Sequence, residues 1–270
     1  RRLKKPKTIL CIAAILVFAA AAFLGFWLYR HEKAQNDDLR ELQSRQSAVL
    51  AAEEELSARL TLLEIKSDYA EASYKYFPLG NSITVHAPNE VWWNEVGMAA
   101  SDADHDYVHL VAAYISASHG KTACHPYYFY AWETAEDRSS KLSLLDPFLD
   151  PGLDLVTIQL GENAENLSTF EQDFTELIRY VLAKAPGARV LVIDDFWPDE
   201  ERSRMKQNAA EKTGAEFISL KDIQGSIDAV AGTGAVVFDP AGNPHTVENA
   251  DVAAHPGDRG MQAIADRIIE

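Results

Sequence analysis

Three short stretches hold residues whose types could carry out acyl transfer if a fold brought them together. They are Gly80-Asn81-Ser82-Ile83-Thr84, Gly161-Glu162-Asn163 and Asp251-Val252-Ala253-Ala254-His255-Pro256. A serine hydroxyl is a weak nucleophile at neutral pH and needs a neighbouring base, which histidine supplies. The oxyanion that forms on the attacked carbonyl needs donors, such as backbone N–H groups or an Asn amide. Taken singly, each stretch also reads as local structure. Gly-Asn-Ser and Gly-Glu-Asn are ordinary turns, and His-Pro commonly leads into a helix with Pro at its first position. Their occurrence together, in this order, is what points to chemistry.

Other reactive residue types read more simply as structure. His105 and His109 stand four apart, a spacing that could grip a metal from one helix face, but no third ligand is evident and a solvated helix start accounts for both. Neither a metal nor a cofactor is expected. Cys11 falls in an apolar N-terminal run and Cys124 is alone in the remainder, so no disulfide forms within a domain and Cys124 reads as a small buried hydrophobe. Trp92-Trp93 offers either a flat platform for a sugar ring or core packing. Asn166-Leu167-Ser168 is a glycosylation sequon only in a eukaryotic secretory pathway, which nothing in the sequence indicates.

The elements that must position these residues follow from hydrophobic patterning. Strands are predicted at 74–77, 153–160, 188–193 and 215–220, and helices at about 105–118, 166–185, 199–213 and 257–269. Strands alternating with helices of this length imply βαβ units and a parallel sheet covered on both faces, with ligands beyond the carboxyl ends of the strands. Ser82 and Asn163 fall just after strands of this pattern, and His255 falls just before its last helix. Pro78 is awkward in a central strand because it lacks an N–H, and a bulge near the strand's end is expected to absorb it.

The chain has 270 residues, 47% of them hydrophobic, enough for one sizeable core. Its net charge of -16 argues against nucleic acid as a partner, since phosphate contacts need clustered Lys and Arg. The first seven residues are nonetheless basic, and Thr8–Tyr29 holds no charge. As a helix that run would be roughly 33 Å long, matching a hydrocarbon core of roughly 30 Å. The positive-inside bias then places the N-terminus in the cytoplasm, the rest outside, and the lipid bilayer around residues 8–29 as a partner. The rival is a cleaved signal peptide, with Ala19 and Ala21 as its A-x-A pattern, although the apolar run continues past the usual length. Residues 32–66 lack Gly and Pro, and Leu42, Val49, Leu56 and Leu63 recur every seven. Leu39 and Leu60 fit a companion position, whereas Gln46 and Glu53 weaken the seam, so a dimeric coiled-coil stalk and a monomeric helical spacer both fit. The organisation expected is 1–30 basic tip and transmembrane anchor, 31–68 stalk or spacer, and 69–270 catalytic domain.

With these blocks in view, the region after the stalk resembles the SGNH hydrolases, the GDSL-type esterase superfamily. The family's first block, usually Gly-Asp-Ser, appears as Gly80-Asn81-Ser82; the second block's glycine matches Gly97; the third, Gly-x-Asn, matches Gly161-Glu162-Asn163; the fifth matches His255. The resemblance implies a three-layer α/β sandwich of flavodoxin-like type, with a parallel sheet of about five strands. It implies Ser82 as nucleophile, His255 as general base, and the Ser82 N–H, Gly97 N–H and Asn163 amide as oxyanion donors. The family's Asp three residues before the His is replaced by Val252. Asp251, Asp258, Glu248 or a backbone carbonyl is left to orient the imidazole, with Asp251, four residues before the His, taken as the third catalytic residue. The function expected is an extracytoplasmic serine esterase that removes an O-acetyl or other short acyl group from a glycan. O-acyl transfer by the same site, and a catalytically silent tethered binding module, are the alternatives.

Overall fold

The computed structural model of the chain describes residues 6–270, and side chains from Phe18 onward except those at positions 34, 38 and 54. Arg1, Arg2, Lys4 and Lys5, the side chains of Lys7 and Cys11, and the side chains in the first half of the expected membrane span lie outside the described residues. The chain divides into two compact units, Arg1–Thr61 and Leu62–Glu270.

The first unit is helical throughout its described length. Helix α1 runs unbroken over Pro6–Glu71, its last turns belonging to the second unit. Pro6 stands at its first position, where a missing N–H costs nothing. Exposed pairs one turn apart support it, with Arg45 donating to Glu41 at 2.5 Å and Arg59 to Glu55 at 2.6 Å. Phe18, Phe23, Leu42, Val49 and Leu56 are exposed. Among the described residues no helix is long and apolar enough to cross a membrane.

The second unit is an α/β fold around a parallel sheet. Its strands are β1 (Tyr74–Gly80), β2 (Thr122–Cys124), β3 (Tyr127–Tyr128), β4 (Leu155–Gln159), β5 (Arg189–Ile193) and β6 (Glu216–Ile218). The order is β2-β1-β4-β5-β6, with β3 also pairing β1, and every pairing in this sheet is parallel. Helices α2 (Tyr107–His119), α3 (Tyr130–Glu133), α4 (Phe170–Lys184), α5 (Glu200–Thr213), α6 (Ala250–Ala253) and α7 (Asp258–Ile269) complete it, with a small antiparallel hairpin of β7 (Val236–Phe238) and β8 (Pro244–Thr246).

The strands alternate between two cores, as a pleat requires. Tyr76, Leu155, Leu191 and Ile193 join Val108, Val111, Ile264 and Ile268 of α2 and α7 in one core. Phe77, Leu79, Val156, Ile158, Val190 and Val192 join Phe174, Leu177, Ile178 and Ala209 of α4 and α5 in the other. Helix layers therefore cover both faces, which is the sandwich that the alternation of strand and helix predicts.

The bulge expected at Pro78 does not occur. Pro78 stays in register with Thr157 of β4. Lys75 O and Asn81 N bond toward β4, through Asp154 N at 3.0 Å and Gln159 O at 3.2 Å, whereas Tyr76 O and Gly80 O accept from His125 and Phe129. Pro78 shares the parity of Tyr76 and Gly80, so its absent N–H faces the gap between β2 and β3, where Pro126 lies. The ladder is already interrupted there, and the proline loses one rung without distorting the strand.

Candidate active site

The site is built at the carboxyl ends of β1 and β4, where the chain order switches from one side of β1 to the other. After Gly80 the chain turns at once, with Thr84 N and Val85 N donating to Asn81 O at 3.0 and 3.1 Å. A Cβ on Gly80 would stand 1.8 Å from Thr84 Oγ1, so this turn admits only glycine. Asn81 is fully buried and folds its side chain forward to accept from Ile83 N at 3.1 Å. Ser82 is thereby presented half-buried at the tip. Its N–H donates to no other group among the described residues.

His255 follows α6, a single turn whose N-terminus is capped by Asn249 Oδ1, accepting from Asp251 N and Val252 N. The turn closes with His255 N bonding to Val252 O at 3.0 Å, which leaves Asp251 O without its helical partner. The imidazole takes that place: Nδ1 lies 2.7 Å from Asp251 O. A carbonyl can only accept, so Nδ1 carries the proton and Nε2 keeps its lone pair. That lone pair faces the Ser82 hydroxyl across 2.8 Å. Trp197 packs edge-on against the imidazole at 5.0 Å and donates from Nε1 to Ala254 O at 3.1 Å. Burial, with a smaller contribution from His86, holds the imidazole below its ordinary basicity, only partly offset by the Asp251 carbonyl.

Two expected roles are corrected by this geometry. The carboxylate of Asp251 does not orient His255; its backbone carbonyl does, and the residue is otherwise exposed. Asp258 accepts from Ser101 N at 2.8 Å and Glu248 is exposed, so neither substitutes. The arrangement is a hydrogen-bonded Ser82–His255 pair, a candidate dyad with no carboxylate on the imidazole. The Gly97 N–H is not directed to an oxyanion, because it donates to the buried Asp106 carboxylate at 3.2 Å. Asp106 also caps α2 through His109 N at 2.7 Å. Gly97 remains required for close packing, since a Cβ there would lie 2.4 Å from Ile83 O.

Behind Ser82 lies a residue that the sequence reading missed. Glu133, the last residue of α3, is buried and accepts from Gly161 N at 2.5 Å, Asn163 Nδ2 at 2.7 Å, Asn163 N at 3.4 Å and Asn81 Nδ2 at 3.2 Å. It joins the first and third sequence blocks through one carboxylate. Burial raises its basicity against those four donors. Glu162 accepts from Asn81 Nδ2 at 2.8 Å, Gln159 Nε2 at 2.5 Å and Phe196 N at 3.2 Å. Burial and the nearby Asp195 carboxylate push it up to about 7. A glutamate after a tryptophan in a one-turn helix has no distinguishing spacing, so only the closing of the fold exposes its role.

The remaining residues singled out by type sit apart from this dyad. His105 Nδ1 pairs with Asp102 at 2.6 Å and His109 Nδ1 with Asp106 at 2.8 Å, and among the described residues no group of three such side chains could hold a metal. Burial pushes the Cys124 thiol up, away from nucleophilic chemistry. Trp92 is fully buried, while Trp93 is half-buried and stacks on His245 at 4.6 Å.

No protein-family model matches the sequence, and no curated protein does. Among solved structures, the chain is similar to a two-domain esterase active on acetylated mannans, at 16% identity and a TM-score of 0.47 over 78% of this chain and 53% of that one. It thus spans about half the length of that esterase. It is similar to a lipase/acylhydrolase from Enterococcus faecalis at 17% identity and a TM-score of 0.45, over 73% of this chain and 93% of that one. It is similar also to a phospholipase A1 from Streptomyces albidoflavus at 14% identity and a TM-score of 0.44, over 73% of this chain and 99% of that one.

Proposed function

We propose that the chain is a serine esterase of the SGNH type that removes a short acyl group, such as O-acetyl, from a glycan outside the cytoplasm. The observation that carries the reading is the 2.8 Å contact between Ser82 Oγ and His255 Nε2 at the carboxyl edge of the sheet. Ser82 attacks the acyl carbonyl while His255 Nε2 takes the hydroxyl proton. The imidazolium keeps Nδ1–H on Asp251 O, and its Nε2–H then protonates the sugar oxygen as the ester C–O bond breaks, giving the free sugar hydroxyl. Water, deprotonated by the same nitrogen, releases the acid and restores Ser82. A second sugar hydroxyl in place of that water would make the reaction an acyl transfer. The Ser82 N–H and the second N–H of the Asn163 amide are the oxyanion donors in this scheme.

A glycan suits the surroundings of Ser82. Tyr128, register partner of Gly80, and Tyr130 lie exposed with rings within 2° of parallel, and His86 stands edge-on to Tyr128. Flat apolar rings beside a nucleophile match the apolar face of a sugar. Placement outside the membrane is supported by the uncharged run Thr8–Tyr29 behind basic residues, and by the exposure of Phe18, Phe23, Phe26 and Trp27.

The test is labelling of the full-length chain with a fluorophosphonate probe and turnover of p-nitrophenyl acetate. Ser82→Ala is expected to abolish labelling, and both Ser82→Ala and His255→Ala to abolish turnover. A parent chain that is neither labelled nor active would overturn the esterase reading. It would favour a tethered binding module, the reading favoured by the engaged Gly97 N–H and by the lack of a carboxylate at His255. Acetylated glycans with and without acceptor sugars then divide esterase from transferase.

A further inference from the structure

We propose that Glu133 is a positioning residue that sets the Asn163 amide for the oxyanion, an inference that rests on the acyl-transfer reading of Ser82. Its two oxygens divide the work. Oε1 accepts from Asn81 Nδ2, Gly161 N and Asn163 N, which ties the turn carrying Ser82 to the loop after β4. Among the described residues, Oε2 accepts from Asn163 Nδ2 alone, at 2.7 Å. One amide proton is thereby spent on Glu133 and the rotation of the carboxamide is fixed, leaving the other proton for the substrate. The backbone around this carboxylate is held as well. The buried Arg138 donates to Glu133 O from Nε and Nη2, and to Asn166 O, three residues after Asn163, at 2.9 Å. Acceptor and donor are thus clamped by one guanidinium.

The contribution of Glu133 must be geometric. A negative charge behind the oxyanion site opposes the charge that develops there, so an electrostatic role would slow acylation. This sign makes Glu133→Gln informative. With its amide oxygen at the Oε1 position, Gln keeps three acceptor contacts and places an NH2 against Asn163 Nδ2, donor against donor. The variant removes the charge and releases only the Asn163 amide.

The experiment compares the rate of fluorophosphonate labelling of Ser82 in the full-length parent, Glu133→Gln, Asn163→Ala and the double variant. Thermal melting confirms that each is folded. Loss of one oxyanion donor costs about 10²–10³ in rate, and a donor that has merely lost its orientation should cost roughly 10- to 100-fold. The double variant should label no more slowly than Asn163→Ala, because the two changes remove one function. Parental labelling in Glu133→Gln, faster labelling, or losses that multiply in the double variant would overturn the proposal. In parallel, with Asn-selective ¹⁵N labelling, the Asn163 carboxamide should show one slowly exchanging proton in the parent that exchanges fast in Glu133→Gln. This arm needs no turnover. A parent that fails to label while the amide responds would overturn the serine-nucleophile reading but not the Glu133 contact, and an unresponsive amide would overturn the contact itself.

Discussion

At the scale of single residues, the dyad turns on one backbone carbonyl. Asp251 O accepts from His255 Nδ1 and so fixes its tautomer, but a carbonyl would bring only a partial charge to an imidazolium, where a carboxylate brings a full one. The identity of residue 251 should then matter little. Asp251→Asn is expected to keep kcat/KM for p-nitrophenyl acetate within about 3-fold, whereas loss of a triad carboxylate costs about 10⁴. A loss of 100-fold or more would restore the carboxylate to the mechanism. Ser82, Asn163 and His255 could be singled out in the sequence by residue type and order, and the structure brings Ser82 and His255 within hydrogen-bond reach. The Asp251 carbonyl could not be singled out, because every residue has one, and its use depends on α6 ending after a single turn. The engagement of the Gly97 N–H was hidden for the same reason: its acceptor Asp106 lies on another element.

Elements explain why the buried carboxylates stand where they do. The ends of β1 and β4 and the short α3 converge behind Ser82, and Asn81 donates from one nitrogen to both Glu133 and Glu162. Glu162 is held well above its ordinary range by burial and by Asp195, with Lys206 opposing, so it keeps a proton in the fold where the unfolded chain has lost it. A group whose basicity is raised on folding adds stability fully below its unfolded value and loses it as pH rises through the folded one. The melting advantage of the parent over Glu162→Gln should therefore be greatest near pH 4.5 and shrink steadily toward pH 8. An advantage that grows with pH would show Glu162 to be ionised throughout. The main strands and the long helices were readable from apolar period and length. β2, β3, β7 and β8 were not, since two or three residues cannot establish an alternation. Pro78 was misread because its tolerance depends on which neighbour its nitrogen faces, a property of pairing rather than of the strand.

The whole chain raises the question of where the α/β unit begins. Patterning suggested residue 69, after the helical region, yet the compact unit starts at Leu62, inside α1. The reason is that the helical period of 32–66 continues while the faces it presents change. Ile65 and Tyr69 are buried among Phe77, Leu153 and Ala123, and Tyr69 meets His125 edge-on at 5.3 Å. Lys121 adds a bond to Glu71 at 2.6 Å. These last turns are core, not spacer. A variant beginning at Leu62 should melt within a few degrees of the full-length chain and keep its rate of fluorophosphonate labelling. Beginning instead at Ser73 removes both apolar side chains, and losing even one such group from a core costs about 2–5 kcal/mol. That variant should melt more than 10 °C lower, since about 1 kcal/mol corresponds to roughly 2–4 °C in a domain of this size. The same series tests the proposed anchor: full-length chain should sediment with membranes and resist alkaline carbonate, while the Leu62 variant should be released without loss of labelling. Equal stability of the two truncations would remove α1 from the core of the α/β unit, and carbonate-soluble full-length chain would remove the anchor.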